Sequence, residues 1–278
     1  MSISIQTNVS SIIAQENLRV NNEFQNQTIQ RLTSGYRINS SGDDAAGLTA
    51  ANMFRSSTAE LQQGVRNAND GVSALQIVDG GLNNISKILD RLKTLATESA
   101  TGTFTGNRTT LDTEFQALLG EINRQASNIG LSSTASGNNA TLAVYIGGGS
   151  SQTNAQVSVN LSGAANQVDA AGRGLGAAIN VTDTTHALAA ITAVSAAVSS
   201  LGAVQGKVGT GENELQYAVS LAQSQISSYS AAESRIRDAD VAAEAANLTK
   251  AQVLQQASMA AIAQANSAPT AVLSLLKG

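Results

Sequence analysis

The sequence contains no cysteine and a single histidine, His186. Without cysteine the chain cannot form disulfides, thiolate metal sites or a cysteine nucleophile. One histidine cannot build a histidine metal cluster or a proton relay within one chain, so we expect His186 to be an ordinary surface residue. These absences predict a protein without a metal, a cofactor or a catalytic residue.

Aromatic residues, proline and charge are also scarce. The 278 residues include no Trp, four Phe, four Tyr and one Pro, and 13% are charged, against roughly 25% in an ordinary soluble domain. Together with 46 alanines, this composition favours long helices held by many small contacts over a thick globular core. The net charge of −4 provides no basic footprint for nucleic acid.

Long apolar runs are missing as well. No stretch of 18 consecutive apolar residues occurs, and the first residues, MSISIQTN, have neither a positive region nor an apolar core. The sequence therefore predicts no transmembrane helix, no secretory signal peptide and no insertion into a membrane.

Helical periodicity is present in both halves. Between residues 61 and 95 the apolar residues recur over 34 positions in ten steps, a mean of 3.4. Between residues 191 and 229 a second stripe covers 38 positions in eleven steps, a mean near 3.45. Both values lie close to the coiled-coil repeat of 3.5. A third run, over residues 111–129, follows a loop at 102–107 and predicts an antiparallel partner for the first helix.

Glycines interrupt the second stripe. Each costs about 1 kcal/mol relative to alanine inside a helix, so we expect packing against other helices to hold this stretch. The glycines concerned are Gly202, Gly206, Gly209 and Gly211.

Both ends of the chain are also predicted to be helical, from about Val9 to Leu32 and from about Ala239 to Leu276. Their remaining faces carry Asn, Gln, Ser and Ala instead of charge, which suits helices surrounded by protein or lining a neutral channel. The expected assembly residues are the apolar ones on these helices: Val9, Ile13, Val20, Phe24, Leu32, Val253, Leu254, Ile262, Leu273 and Leu276.

The segment 131–180 differs from the rest, since it holds eight of the 24 glycines and only two charges. Apolar residues alternate at period two over residues 142–146 and again over 157–161, and Gly147-Gly148-Gly149-Ser150 follows the first run. This pattern predicts a β-hairpin followed by loop.

Sequence motifs of common enzymes are absent. The phosphate-binding, zinc-protease and serine-hydrolase patterns do not occur, and the glycines around Arg173 lack the flanking strand of a dinucleotide site. Asp43 and Asp44 could act as acid and base, but we expect them to cap a helix beginning near Ala45. The sequence therefore predicts no enzymatic activity.

Several sequence segments, in the same order along the chain, resemble those of bacterial flagellin. The N-terminal ones are RLTSGYRINS at 31–40, DDAAG at 43–47 and RNANDG at 66–71. The C-terminal ones are SRIRDAD at 234–240, LQQA at 254–257 and AQAN at 263–266, followed by the leucines at 273–276. The resemblance covers about residues 1–130 and 185–278.

The resemblance implies a mainly α fold with a discontinuous two-domain architecture, in which long helices form a coiled coil and a rod bundle with one small β-hairpin. Residues 1–42 and 236–278 would form the helical inner-tube domain. Residues 43–235 would form the rod domain, with the glycine-rich segment 131–180 in place of outer domains. The chain is thus similar to a minimal flagellin.

The function implied is that of a structural subunit, exported unfolded and polymerised at the tip of the flagellar filament for motility. The localisation implied is secreted and extracellular. The partners implied are many copies of the chain, an export chaperone at the C-terminal region, and cap and junction proteins. A hook–filament junction protein has similar ends and is the alternative.

The resemblance also implies an innate immune partner, a Toll-like receptor of an animal host. The matching positions are Leu89, Arg91, Leu95 and Glu121, whereas Asp90 and Thr94 depart from the usual residues. The alternative for Leu89 and Leu95 is that they are core positions of the apolar stripe, as we expect for Leu92. Arg91 lies off the stripe and is expected to face outward.

Overall fold

The computed structural model describes residues 7–133, 141–148, 154–176 and 179–277, with side chains described as far as residue 267. The described chain contains five long helices and one antiparallel hairpin. The elements are α1 (Val9–Ser34), α2 (Ala45–Ala100), α3 (Arg108–Asn128), β1 (Thr141–Tyr145), β2 (Gln156–Asn160), a 3-10 turn (Ala164–Asn166), α4 (Thr184–Arg237) and α5 (Val241–Lys277). The predicted mainly helical fold with one small hairpin is confirmed.

The chain divides into two compact units. One consists of Met1–Ser56 together with Ser228–Gly278, and the other of Ser57–Ser227. The first unit is therefore built from both ends of the chain, and the second is continuous in sequence.

The helix α2 begins where the acidic pair ends. Asp44 accepts a hydrogen bond from the backbone N–H of Gly47 at 2.8 Å and so caps the first turn. Asp43 accepts hydrogen bonds from the N–H groups of Asn39 and Ser40 and from the Ser40 hydroxyl. The predicted capping of this helix is therefore confirmed for Asp44, whereas Asp43 binds groups of the loop before α2 and does not cap it.

The core of the second unit follows the predicted stripes. On α2 the buried apolar residues include Leu61, Ala68, Leu75, Leu82, Ile85, Leu89, Leu92 and Leu95. On α4 they include Val194, Leu201, Val204, Val208, Leu215 and Ala222. On α3 they are Phe115, Leu119, Ile122 and Ala126. Since these residues repeat every three to four positions, each helix buries one face.

The helices α2 and α3 run antiparallel, as predicted. The Arg108 guanidinium donates to the Ser99 carbonyl oxygen, and Arg91 forms an ion pair with Glu114 further along. Beyond both pairs, Gly81 lies against the Ile129 side chain. From one contact to the next, the residue number falls along α2 and rises along α3, so the two helices are antiparallel.

The hairpin packs on glycines of both long helices. Its register pairs Leu142 with Val159 and Val144 with Val157. A side chain at Gly64 would overlap the Ile146 carbonyl, and one at Gly211 would meet Val159 at 2.5 Å. These glycines let the strands approach the helix backbones closely. Gly149 and Ser150 of the predicted turn lie outside the described residues.

Of the four glycines within α4, Gly211 alone lies close to another described element, the hairpin. A Cβ atom added at Gly202, Gly206 or Gly209 would meet no atom of another described element within 4 Å. The stretch is instead buried through Leu201, Val204 and Val208 on another face of α4. The three glycines retain the propensity cost of glycine in a helix without a packing benefit.

The helix α4 is more apolar than the sequence analysis indicated. An 18-residue window of this helix has a mean hydropathy of 1.9, and 33% of the window is buried. By length and composition alone, the helix could cross a membrane. The window contains no long uninterrupted apolar run, because serine and threonine lie between its apolar residues. Its buried residues, such as Val194 and Leu201, recur on one face as in a core helix.

Candidate assembly surface

The terminal helices α1 and α5 pair in an antiparallel coiled coil. Its seam follows a heptad repeat on both helices, with alternating steps of three and four residues. On α1 the seam residues are Ser11, Ala14, Leu18, Asn21, Gln25, Thr28 and Leu32, and on α5 they are Glu244, Leu248, Ala251, Gln255, Ser258, Ile262 and Ala265. All are buried or half-buried.

Hydrogen bonds between short polar side chains connect the two helices. Asn21 donates to the Ser258 hydroxyl at 2.9 Å, and Gln255 donates to the Asn22 side-chain oxygen at 2.9 Å. Near the start of α1, the Ser11 hydroxyl donates to Asn266 at 2.9 Å. At the opposite end, Arg31 and Glu244 form an ion pair at 3.5 Å. Much of the seam is therefore small or polar.

Large apolar side chains of the same helices are exposed. Val9, Ile13 and Val20 are 59%, 57% and 49% exposed, and spacings of four and seven residues place them on one face of α1. Phe24 continues this face and is half-buried. We call Val9, Ile13, Val20 and Phe24 the α1 stripe. An apolar stripe left uncovered by the described part of its own chain is typical of an interaction surface.

The predicted assembly residues thus fall into three groups. The α1 stripe and, on α5, Val253 and Leu254 are wholly or partly exposed. Leu32 and Ile262 are half-buried in the seam. The side chains of Leu273 and Leu276 lie outside the described residues. The polar seam positions could not be predicted from apolar periodicity, because serine and asparagine do not contribute to an apolar pattern.

Charge is sparse on α5. Between Val241 and Ser267 it carries only Glu244 and Lys250. On α1 the exposed charges Glu16, Arg19 and Glu23 lie in ion pairs, since Arg19 is 2.7 Å from Glu16 and 3.4 Å from Glu23. Neighbouring protein could therefore cover most of either helix without burying an unpaired charge, which is costly.

The residues expected to meet an innate receptor do not form one exposed cluster. Leu89 and Leu95 are buried in the core. The Arg91 side chain is 51% exposed and donates from two nitrogens to one Glu114 oxygen, at 2.8 and 2.6 Å. Glu121 is held by Arg124 and Gln125 on its own helix. Arg91 and Glu121 are the members with exposed surface.

His186 lies at the start of α4, where its backbone N–H donates to Asp183 at 2.9 Å. Its ring is also within 2.5 Å of the Asp183 carboxylate. Among the residues described, no group of three acidic or histidine side chains could hold a metal ion.

Two parts of the chain match models of known protein families. Residues 5–142 match the bacterial flagellin N-terminal helical region, and residues 189–276 match the bacterial flagellin C-terminal helical region. These matches contain both helices of the coiled coil, apart from the last residue of α5, and all of α2 and α3.

Similar proteins align with nearly the whole chain. A flagellin of Halalkalibacterium halodurans is 32% identical over 276 residues, which cover 98% of this chain and 99% of that protein. The flagellar filament 33 kDa core protein of Treponema phagedenis is 32% identical over 287 residues, with coverage of 98% and 99%. The crystal structure of Bacillus cereus flagellin is 24% identical with a TM-score of 0.48, covering 56% of this chain and 88% of that chain.

Proposed function

Because this chain belongs to the bacterial flagellin family, we propose that its terminal coiled coil provides the contacts that hold its flagellar filament together. The chain is a structural subunit that polymerises into the extracellular filament of the bacterial flagellum and is not an enzyme. The similar proteins named above are filament proteins, and none of them is named as a hook–filament junction protein.

The observation that carries the proposal is the exposed α1 stripe. Covering its half-exposed side chains in a polymer contributes about 1 kcal/mol each, given about 25 cal/mol per Å² of apolar surface. The described part of the chain leaves the stripe exposed, and in this proposal a different surface of the next copy covers it. Such heterologous contacts propagate an open helical polymer.

The domain assignment follows the same reasoning. In this proposal residues 1–42 and 236–278 form the inner tube, where an almost uncharged surface is surrounded by other copies. Residues 43–235 form the rod domain, held by the buried stripes of α2, α3 and α4. The hairpin and the loop after it take the place of separate outer domains.

The other partners belong to the subunit before and during assembly. An export chaperone would cover the C-terminal region, because Val253 and Leu254 have exposed apolar surface before other copies cover them. Cap and junction proteins would contact the same terminal surfaces at the two ends of the filament. Export in an unfolded state is compatible with a chain that has no cysteine and one proline.

Deleting residues 239–278 tests the assembly proposal. The deletion removes all of α5, and with it both the seam partner of α1 and the exposed residues of α5. We expect a soluble, still helical monomer that forms no filaments after seeding, as judged by circular dichroism and negative-stain electron microscopy. Filaments like those of the full chain would contradict the proposal.

A second proposed function is binding of the monomer to a Toll-like receptor, and the exposure of Arg91 favours it. An arginine with several directed hydrogen-bond donors is a common anchor of interfaces. Glu121 would contribute from α3, whereas the buried Leu89 and Leu95 would act by fixing the helix that carries Arg91. Because Asp90 and Thr94 depart from the family residues, binding should be weaker than for flagellins with the full motif.

Substituting Arg91→Ala tests receptor binding. We expect affinity of the monomer for the receptor ectodomain to fall about ten-fold or more, which corresponds to about 1.4 kcal/mol. The matched control is Arg66→Ala, another exposed arginine on α2 whose hydrogen bonds are to Gln63. Equal binding by the Arg91→Ala variant and the unmodified chain would contradict the assignment.

A further inference from the structure

The two halves of the chain meet in a short β-bridge next to the coiled coil. Tyr36, just after α1, pairs with Asp238, just after α4, in antiparallel orientation. The N–H of Arg37 donates to the Arg237 carbonyl at 2.6 Å, and the N–H of Ala239 donates to the Gly35 carbonyl at 2.9 Å. We call residues 35–37 and 236–239 the clasp.

Side chains reinforce this bridge. The Arg237 guanidinium lies over the Tyr36 ring, 4.1 Å from its centroid, which is a cation–π contact. The same side chain is 16% exposed and 3.9 Å from Glu233. From the other strand, Arg37 donates to the Ile236 carbonyl at 2.8 Å. The Arg237 Nε is buried without a hydrogen-bond partner among the described residues, so the ring contact is a main interaction of this group.

The glycine that ends α1 turns the chain into the clasp. Gly35 has a positive φ of 74° and its N–H donates to the Arg31 carbonyl, which terminates the helix. A left-handed residue turns the chain out of the helix at small cost only when it is glycine. The turn leaves the Gly35 carbonyl available to accept from Ala239.

The clasp and the coiled coil share one register. Tyr36 pairs with Asp238 at the clasp, then Arg31 with Glu244, Asn21 with Ser258 and Ser11 with Asn266 along the coil. As one residue number falls, the other rises by a similar amount. The first contact of the coil, between Arg31 and Glu244, therefore lies only five or six residues from the bridge.

We propose that the clasp sets the register of the α1–α5 coiled coil, with Tyr36 and Arg237 as its positioning residues. Only four of the fourteen seam residues are large and apolar, and the polar Asn21, Gln255 and Ser258 are half-buried, so water can hydrogen-bond to them after a slip of one heptad. Such a seam discriminates only weakly against the slip. Holding the two chains at one end raises the effective concentration of the in-register partners. The clasp thus ensures that each subunit presents its α1 stripe in one arrangement. The inference rests on the proposed assembly role of this coil.

Because the chain lacks cysteine, introduced thiol pairs report the register directly. The in-register pair is Asn21→Cys with Ser258→Cys, and the slipped pair is Asn21→Cys with Ala265→Cys, one heptad further along the same seam. The measurement is the rate of disulfide formation within full-length monomers. With the clasp intact, we expect the in-register pair to oxidise about ten-fold faster or more, as effective concentrations of tethered groups imply.

Opening the clasp should reduce this preference. Adding Tyr36→Leu or Arg237→Met should lower the ratio of the two rates to about three-fold or less, because each removes the cation–π contact. Tyr36→Phe keeps the ring face and should keep the ratio. An unchanged ratio in the Tyr36→Leu and Arg237→Met variants would overturn the inference and assign the register to the packing of α2 on α4 around Phe54 and Tyr229.

A covalent clasp provides the rescue. The bridge hydrogen bonds flank Tyr36 and Asp238, so these residues form a non-hydrogen-bonded pair, in which Cα atoms are about 4.5 Å apart and disulfides are allowed. We expect the Tyr36→Cys, Asp238→Cys chain to elongate seeds at the unmodified rate when oxidised and about three-fold slower or more when reduced, as loss of a local tether implies.

Equal elongation by the oxidised and reduced chains would overturn the register role while leaving assembly intact. Failure of the unmodified chain to elongate seeds would instead remove the assembly proposal itself. The two failures are therefore distinguishable.

Discussion

Single carboxylates at the surface organise local structure at several points of the chain. Hydrogen bonds from Ser40 and Asn39 lower the pKa of Asp43, and those from His186 lower the pKa of Asp183 at the start of α4. On α3, hydrogen bonds from Arg124 and Gln125 lower the pKa of Glu121 to about 2. In each case the partners stabilise the charged form of the acid.

The prediction at this scale concerns the titration of Glu121. Its folded-state pKa of about 2 lies below the ordinary value of 4.5, so its contribution to stability is present above pH 4.5 and is lost as the pH falls towards 2. We expect Arg124→Gln to raise the titration midpoint of Glu121, since hydrogen bonding to the Arg124 guanidinium is the largest cause of its lowered pKa. Carboxyl NMR shifts measured against pH would show this movement.

A matched control keeps the assignment specific. Arg66→Gln removes another exposed arginine of the same unit that has no contact with Glu121, and it should leave the midpoint in place. A Glu121 midpoint near the ordinary value in the unmodified chain would contradict the geometry of the pair.

Residue roles could be predicted from the sequence where they are local. Asp44 as a helix cap follows from its position before Ala45, because capping involves neighbours only. The contact of Arg37 with Ile236 joins residues 199 positions apart, and no local pattern indicates it. The exposure of Arg91 followed from its position off the stripe, but its ion pair with Glu114 depends on how α3 packs.

At the scale of elements, the glycines of the long helices differ in whether they pack against the hairpin. Gly64 and Gly71 on α2 and Gly211 on α4 face the hairpin closely, whereas Gly202 faces no other described element within 4 Å. Helix propensity treats all four alike. The difference arises from tertiary packing, which decides whether a side chain would fill empty space or displace a strand.

We predict opposite effects of alanine at two of these positions. Gly64→Ala should destabilise the unit Ser57–Ser227 by about 2 kcal/mol, because the new methyl group overlaps the Ile146 carbonyl and the hairpin must shift. Gly202→Ala should stabilise it by about 0.5–1 kcal/mol through helix propensity. Urea unfolding followed by circular dichroism measures both changes.

The two variants control for each other, since both add one methyl group to a long helix. Stabilisation by Gly64→Ala would show that the hairpin does not approach α2 as closely as described. Destabilisation by Gly202→Ala would indicate packing on a face of α4 that is exposed in the monomer.

The elements themselves could largely be predicted. The stripes of α2, α3 and α4 and the alternation in the hairpin are strong because each element buries one face. The seam of the coiled coil escaped prediction, since its heptad positions hold Ser11, Asn21, Gln255 and Ser258 among only a few large apolar residues. Periodicity of hydrophobicity carries no information about a seam joined by amides and hydroxyls.

At the scale of the whole molecule, composition indicated long helices, and the almost uncharged terminal helices indicated surrounding protein, but neither feature indicated a family. The family followed from ordered segments at both ends, and the matches to residues 5–142 and 189–276 confirm it. The 276-residue alignment covers nearly all of this chain and of its relative from Halalkalibacterium halodurans. A flagellin of this length is therefore not peculiar to this chain.

The whole-molecule claim is that the exposed α1 stripe holds subunits together. Ile13→Asp places a charge in the middle of the stripe, where a neighbouring copy would have to bury it without a partner. The substitution leaves the seam of the coiled coil unchanged. Gln15→Asp adds the same charge to an exposed position of the same helix away from the stripe and is the matched control.

The most direct measurement is seeded polymerisation of these two variants and the unmodified chain, imaged by electron microscopy at equal monomer concentration. We predict filaments from the unmodified chain and from Gln15→Asp, and none from Ile13→Asp, whose helicity in the monomer should be unchanged. Filaments of normal length and number from Ile13→Asp would contradict the claim that the α1 stripe forms the contact between subunits.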